Sequence, residues 1–252
     1  MKHTWKYLVV SAVCFAILPF SAPAQQGEVY SLNVVGFQKL NAEANGMTMV
    51  SVPFDLGESN TLDDVIGTQL TGGKTGGGAD EVILWDPIQQ KYLFFWLKQT
   101  DNKWYSSEDG QPATNTAITS LLGMWIRSKR VADQTVVVAG DAVGQNVVTN
   151  TLMPGMNLVS YPFSATIDLN QSALTNGNAG KTGGGADEII LWDPELQKYL
   201  FYWLKQTDRK WYASSDGQLA QGVLVGGGVG FWYRNKAAVP FQWVETRPYQ
   251  FD

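Results

Sequence analysis

The sequence predicts an all-β protein: two tandem homologous domains, each a β-sandwich or partly open barrel, with a propeller-like arrangement as the alternative. Three observations predict it. Short alternating runs rich in β-branched and aromatic residues recur between Gly, Asp-Pro and Asn turn signals. Helical periodicity is confined to one short segment. Lys74 to Ser107 recurs almost unchanged as Lys181 to Ser214, differing only at Val82/Ile189, Ile88/Glu195, Gln89/Leu196, Phe95/Tyr202, Asn102/Arg209 and Ser106/Ala213. Solenoids and propeller blades repeat every ~20–50 residues, whereas a period near 107 residues is the size of a small domain. The match continues more loosely outward, from Gly46-Met47 (with Gly155-Met156) to Gly123, Trp125 and Arg127 (with Gly230, Trp232 and Arg234).

Taken in order, the chain opens with Lys2, His3 and Lys6, an apolar run from Tyr7 to Phe20, and Ser21-Ala22-Pro23-Ala24. This is a basic region, an apolar core and a small-residue cleavage site, so residues 1–24 read as a signal peptide and the protein as secreted, cell-surface or periplasmic. No later stretch approaches the ~20 apolar residues of a membrane helix, so no transmembrane segment is expected after signal removal. The domains are then residues 25–140 and 141–252, with the boundary near Gly140.

Glu28 to Phe37 alternates and reads as the first strand, and Met47 to Phe54 as the second, closed by Pro53. Asn60-Thr61 ahead of Leu62 to Ile66 reads as one capped helical turn. Glu81 to Trp85, Asp86-Pro87 and Lys91 to Lys98 form a hairpin signature. Asp101-Asn102 turns the chain into a strand at Trp104-Tyr105, and Met124 to Arg127 and Thr135 to Val138 give two more. The same series recurs in the second copy and ends with Val239 to Val244.

The single Cys (Cys14) and single His (His3) both fall in the signal. The exported chain therefore lacks a disulfide framework, a thiol nucleophile, a Ser-His-Asp triad and the usual His/Cys zinc site. With a net charge of −5 and no basic stripe, nucleic acid is not expected as a partner.

Gly73-Lys74-Thr75 and Gly180-Lys181-Thr182 superficially suggest a phosphate loop. The motif requires a glycine five residues earlier, where Thr68 and Thr175 stand, so a glycine loop before a strand is the better reading. The carboxylates shared by both copies are Asp80, Glu81 and Asp86, with Asp187, Glu188 and Asp193. They admit a glycosidase-type acid/base pair or a Ca²⁺ site, Ca²⁺ being the one cofactor this donor set suggests. They also admit plain turn-holding by Asp86 and Asp193.

The aromatics are the most informative class. Trp85, Tyr92, Trp96 and Trp104, with Trp192, Tyr199, Trp203 and Trp211, are candidate ligand-binding residues, since indole and phenol faces make platforms for sugar rings. Strand alternation puts Tyr92, Phe94 and Trp96 on one face and Leu93, Phe95 and Leu97 on the other, so one face is core and the other core or platform. Replacement of Phe95 by Tyr202 suggests a ring reaching solvent there. Arg127 and Arg234 follow Trp125 and Trp232 at i+2 and share their face, for a cation–π stack or a carboxylate partner.

Val29 to Phe37, Gly230-Phe231-Trp232-Tyr233-Arg234 and the twice-used Gly-x-x-x-Val-Ser-x-Pro-Phe (Gly46 to Phe54, Gly155 to Phe163) resemble exported β-rich repeat proteins of planctomycete–verrucomicrobial bacteria. The resemblance implies export and β architecture and carries no catalytic residues with it. The expected function is an exported, non-enzymatic structural, cell-surface or matrix protein that self-associates. The alternatives are a tandem carbohydrate-binding module on polysaccharide, gaining avidity from two sites, and a carboxylate-based glycosidase or lyase.

Overall fold

The computed structural model describes residues 34–58 and 60–250. The expected signal segment with His3 and Cys14, and positions 28–33 of the first expected strand, lie outside the described residues. In the first repeat the strands are β1 (Val35–Ala42), β2 (Met47–Ser51), β3 (Phe54–Asp55), β4 (Glu81–Asp86), β5 (Lys91–Lys98), β6 (Lys103–Ser106), β7 (Gly123–Arg127) and β8 (Gln134–Ala142), with one short helix, α1 (Leu62–Val65). The second repeat follows with β9 (Val147–Leu152), β10 (Gly155–Ser160), β11 (Thr166–Asp168), β12 (Glu188–Asp193), β13 (Lys198–Leu204), β14 (Trp211–Ala213), β15 (Leu224–Gly226), β16 (Gly230–Asn235) and β17 (Phe241–Thr246).

Each repeat centres on a five-stranded antiparallel sheet, β2-β7-β4-β5-β6 in the first and β10-β16-β12-β13-β14 in the second. The hairpin registers match: Trp85 faces Tyr92 in one, and Trp192 faces Tyr199 in the other. One face of each sheet is closed by a smaller layer, β1-β8-β3 in the first repeat and β9-β17 with β11-β15 in the second. These are sandwiches; the sheets do not close into a barrel.

Sequence chemistry accounts for the local elements. Asp86 Oδ1 accepts from the N–H groups of Ile88 (2.8 Å) and Gln89 (2.9 Å), tightening the turn after β4, and Asp193 does the same at 3.0 Å to Glu195 and Leu196. Thr61 and Asp64 form a reciprocal capping box on α1. Pro53 cannot donate to a ladder, and the expected Met47 to Phe54 strand accordingly divides into β2 and β3.

The alternation on β5 resolves as two faces with different work. Phe95 and Leu97 enter the first core with Val82, Trp104, Ile126 and Val136, while Tyr92 and Phe94 point away from it and are exposed. The second core repeats this with Leu204, Trp211, Tyr233 and Trp243. Each large side chain so buried contributes about 1.5–3 kcal/mol, which lets both cores form without disulfides. Tyr202 is a correction: it is only 8% exposed and lies in the second core, so the Phe95/Tyr202 exchange does not mark a solvent-reaching ring. β8 runs through Gly140 to Ala142, paired with β1, because a glycine there lets the strand approach Phe54, whose Cβ would lie 2.7 Å from an added side chain.

The outer faces of the two five-stranded sheets meet in a third apolar cluster of Met49, Ile83, Trp125, Leu158, Ile190 and Trp232. Ser160 Oγ donates to Ser51 Oγ (2.8 Å), and the N–H of Ser51 donates to the carbonyl of Gly228 (2.8 Å), tying the repeats beside this cluster. No helix among the described residues is long and apolar enough to cross a membrane.

Candidate functional site

The cluster between the sheets has two edges related by the repeat, and they differ. At one edge the turn after β4 brings Gln90 against the start of β10. Gln90 Oε1 accepts from the N–H of Met156 (2.7 Å), and its Nε2 donates to the carbonyls of Met156 (3.0 Å) and Pro87 (2.7 Å). The indole N–H of Trp85 also donates to Met156 O (2.7 Å). Trp85 and Tyr92 both meet Trp232 edge-on, with centroids 5.2 and 6.0 Å away. Gly155 makes this possible, at φ +93° with the Gln90 carboxamide 2.5 Å from where a Cβ would stand. This edge is sealed.

At the other edge the corresponding residues are Trp192, Gln197, Tyr199, Met47 and Trp125. Gln197 has the same left-handed backbone (φ 49° against 52° for Gln90) and the same bond from Nε2 to the preceding proline carbonyl, Pro194 O at 2.7 Å. It makes no bond to Met47. Trp192 meets Trp125 edge-on at 6.0 Å, wider than its counterpart pair, and no described protein group accepts from its indole N–H. What remains is a cleft of about 550 Å³ lined by Met47, Ile83, Tyr92, Phe94, Trp125, Arg127, Trp192, Gln197 and Tyr199. Its size is that of a small-ligand or peptide-anchor site.

The chain before β2 explains the difference. Asn45 takes the left-handed turn position (φ 49°), its N–H donates to Arg130 O (2.7 Å), and Ala44 N–H donates to Asp133 Oδ1 (2.8 Å). Gly46 keeps an ordinary φ, with its nearest would-be neighbour its own Glu43. Glu-Ala-Asn-Gly thus holds Met47 away from Gln197, whereas Met-Pro-Gly delivers Met156 to Gln90.

The cleft is apolar and aromatic with one cation. The Arg127 guanidinium lies against the Glu81 carboxylate, which also holds Lys129 Nζ at 2.9 Å; Arg127 is 5.9 Å from the Phe94 ring centroid. Arg127 takes both kinds of expected partner, the Glu81 carboxylate and an aromatic ring, that of Phe94, and Arg234 pairs with Glu188 at 3.4 Å. Burial raises the Tyr92 phenol above its ordinary value; it also raises Tyr199, helped by Tyr92 and opposed by the Trp232 indole. Both are therefore neutral hydrogen-bonding groups at physiological pH. Among the described residues no carboxylate lines the cleft, and its cation, Arg127, shares the Glu81 carboxylate with Lys129.

The eight expected aromatics separate into three groups. Trp104 and Trp211 are 0% exposed core residues, which corrects their expected place on a binding surface. Trp85, Tyr92, Trp192 and Tyr199 are brought together between the repeats. Trp96 and Trp203 lie farther along the same outer faces, each tilted against a tyrosine: Tyr105 at 5.5 Å and Tyr212 at 5.9 Å. A lysine caps each tyrosine, Lys98 and Lys205, both 4.4 Å from the ring centroid. Gly76 and Gly183 lie directly on the two indoles, 3.3 Å from the position of an added Cβ, which gives the glycine loops a packing role.

The expected Ca²⁺ donors do not converge. Asp80 is fully buried and accepts from the N–H groups of Thr71 (2.8 Å) and Lys129 (2.8 Å) and from Gln134 Nε2 (2.7 Å). Asp187 accepts from the N–H groups of Asn178 (2.7 Å) and Lys236 (2.7 Å) and from the Tyr233 hydroxyl (2.5 Å). Glu81 and Glu188 are ion-paired, the latter to Lys236 at 2.7 Å, and Asp86 and Asp193 hold their turns. Protein donors reach these carboxylate oxygens, and no group of three or more His, Cys, Asp or Glu among the described residues is placed to hold a metal ion.

Sequence reasoning missed Met47, Phe94, Trp125 and Gln197. Phe94 was within reach, since alternation already placed it beside Tyr92 on the outer face. Gln197 had no signal of its own, because its role depends on which sheet faces it. No protein-family model, curated protein or solved structure matches this chain.

Proposed function

We propose that this is an exported, non-enzymatic cell-surface or matrix protein that works by holding a partner in the cleft between its two repeats. The single observation that supports this most is the unsealed edge: an aromatic cavity of about 550 Å³, with a glutamine carboxamide and an indole N–H left for a partner to bond. Of the carboxylates that glycoside hydrolysis would need, Asp80 and Asp187 are buried against donors, Glu81 and Glu188 are ion-paired and Asp86 and Asp193 hold turns, and none lines the cavity, so the residues favour binding over turnover.

A second reading, tandem saccharide binding, draws on a different observation. The pairs Trp96–Tyr105 and Trp203–Tyr212, each with its lysine, form two partly exposed platforms, one per repeat. The test is tryptophan fluorescence and calorimetry of the chain against a polysaccharide panel, with sedimentation velocity over a concentration series. Each is repeated with Trp192→Ala and with the Trp96→Ala/Trp203→Ala pair. Binding or self-association lost in Trp192→Ala supports the cleft. Loss only in the double variant moves the function to the platforms, and turnover of any glycan would overturn the non-enzymatic reading.

A further inference from the structure

The sealed edge is an intramolecular example of what this arrangement of groups holds. Gln90 and Trp85 there bind the N–H and the C=O of one residue, Met156, from the same side. An extended polypeptide residue presents both groups in one direction. The acetamido group of an amino sugar does not, because its N–H and C=O point oppositely across a trans amide. The residue before Met156 must lack a side chain, since the Gln90 carboxamide fills the Cβ position of Gly155. The thioether side chain then packs against the inter-sheet cluster.

The open edge carries the same equipment unused. Gln197 is set by the same turn, with its Nε2 bonded to Pro194 O and its Oε1 without a protein partner among the described residues. Trp192 supplies the indole N–H, and Ile83, Tyr92, Phe94 and Trp125 supply the apolar wall. The chain's own Met47 does not serve, because Gly46 lacks the left-handed backbone and the preceding turn is fixed on Arg130 and Asp133.

We propose that the open cleft binds an extended peptide segment of a partner protein, a glycine followed by an unbranched apolar residue, clamped at its backbone by Gln197 and Trp192 as Gly155-Met156 is clamped by Gln90 and Trp85. This rests on the cleft being the recognition site and adds the chemical class of the partner.

The probe is a fluorescently labelled peptide of sequence Leu-Met-Pro-Gly-Met-Asn-Leu, copied from Leu152 to Leu158, titrated by anisotropy against the full chain. Saturable binding is expected, weakened at least tenfold by Gln197→Ala and by Gly→Ala in the peptide. The Trp192 indole proton should also move downfield on binding. Gln197→Ala removes one bond within an exposed turn and leaves the fold intact, which circular dichroism verifies. Absence of binding to folded protein, or binding unchanged by both substitutions, overturns the inference. If a glycan binds and is lost in Trp192→Ala while the peptide does not bind, the cleft stands and the peptide falls. If no ligand responds to Trp192→Ala, both fall.

Discussion

The two edges of the inter-repeat interface are built from nearly the same residues and reach different ends. Trp85, Gln90 and Tyr92 close on Met156 and Trp232, while Trp192, Gln197 and Tyr199 stand open over Met47 and Trp125. The hairpins cannot be the cause, because their turns and glutamine backbones agree within a few degrees. The cause lies in what each hairpin meets. A Met-Pro-Gly entry with a left-handed glycine feeds the carboxamide; a Glu-Ala-Asn-Gly entry with the left-handed residue one position earlier does not. Near-identical halves thus form one asymmetric site, because the loops that differ lie opposite the segments that do not.

The largest expected effect separates the tryptophans. Trp232 is 4% exposed and seals its edge against Trp85 and Tyr92, so Trp232→Ala should cost about 3–5 kcal/mol in chemical denaturation. Trp192 borders the cavity and already lacks part of its packing, so Trp192→Ala should cost roughly half as much. Equal costs would mean the open edge is as tightly packed as the sealed one.

The glycines come next. Gly155→Ala forces a side chain into a left-handed backbone and into the Gln90 carboxamide, for a loss of about 1–3 kcal/mol. Gly46→Ala meets only Glu43 from an ordinary backbone and should stay below about 1 kcal/mol. The glutamines sharpen the contrast further. Gln90→Ala removes the bonds to Met156 and should cost about 1–2 kcal/mol, against less than about 0.5 kcal/mol for Gln197→Ala, by thermal or denaturant unfolding.

The smallest effect is a pH dependence. Tyr92 and Tyr199 have folded pKa values raised above 10.0, chiefly by burial. A phenol that holds its proton more tightly when folded lends stability that is complete below its unfolded pKa and is lost as pH rises through the folded one. Stability should therefore decline above about pH 10, and Tyr92→Phe with Tyr199→Phe should make that limb of the curve shallower without removing it, since burial also raises Tyr161, Tyr202 and Tyr233, read by denaturation across pH 9 to 11.

Much of the fold was legible. The Asp86-Pro87 hairpin, the Thr61 cap and the outward set Tyr92, Phe94 and Trp96 are local matters of turn chemistry, capping and alternation, and a strand's two faces follow from parity alone. The site was legible only in part. Trp104 and Trp85 are indistinguishable as letters, yet one is core and the other lies between sheets, because only tertiary packing decides which layer covers an indole. Asp80 read as a metal ligand because sequence shows the carboxylate without Thr71, Lys129 and Gln134, which arrive from distant strands and loops to occupy it. The asymmetry of Gln90 and Gln197 arises from the segments that lead into β10 and β2 of the opposite repeat, information that no window around either glutamine contains.

The most direct test of one sealed and one open edge is the exchange of tryptophan indole protons by ¹⁵N-resolved NMR, with Trp85 and Trp192 assigned through Trp→Phe variants. Trp85 should be protected by its bond to Met156 O, and Trp192 should exchange rapidly in the free protein. Equal protection of the two would show that both edges are closed, and would contradict the cleft.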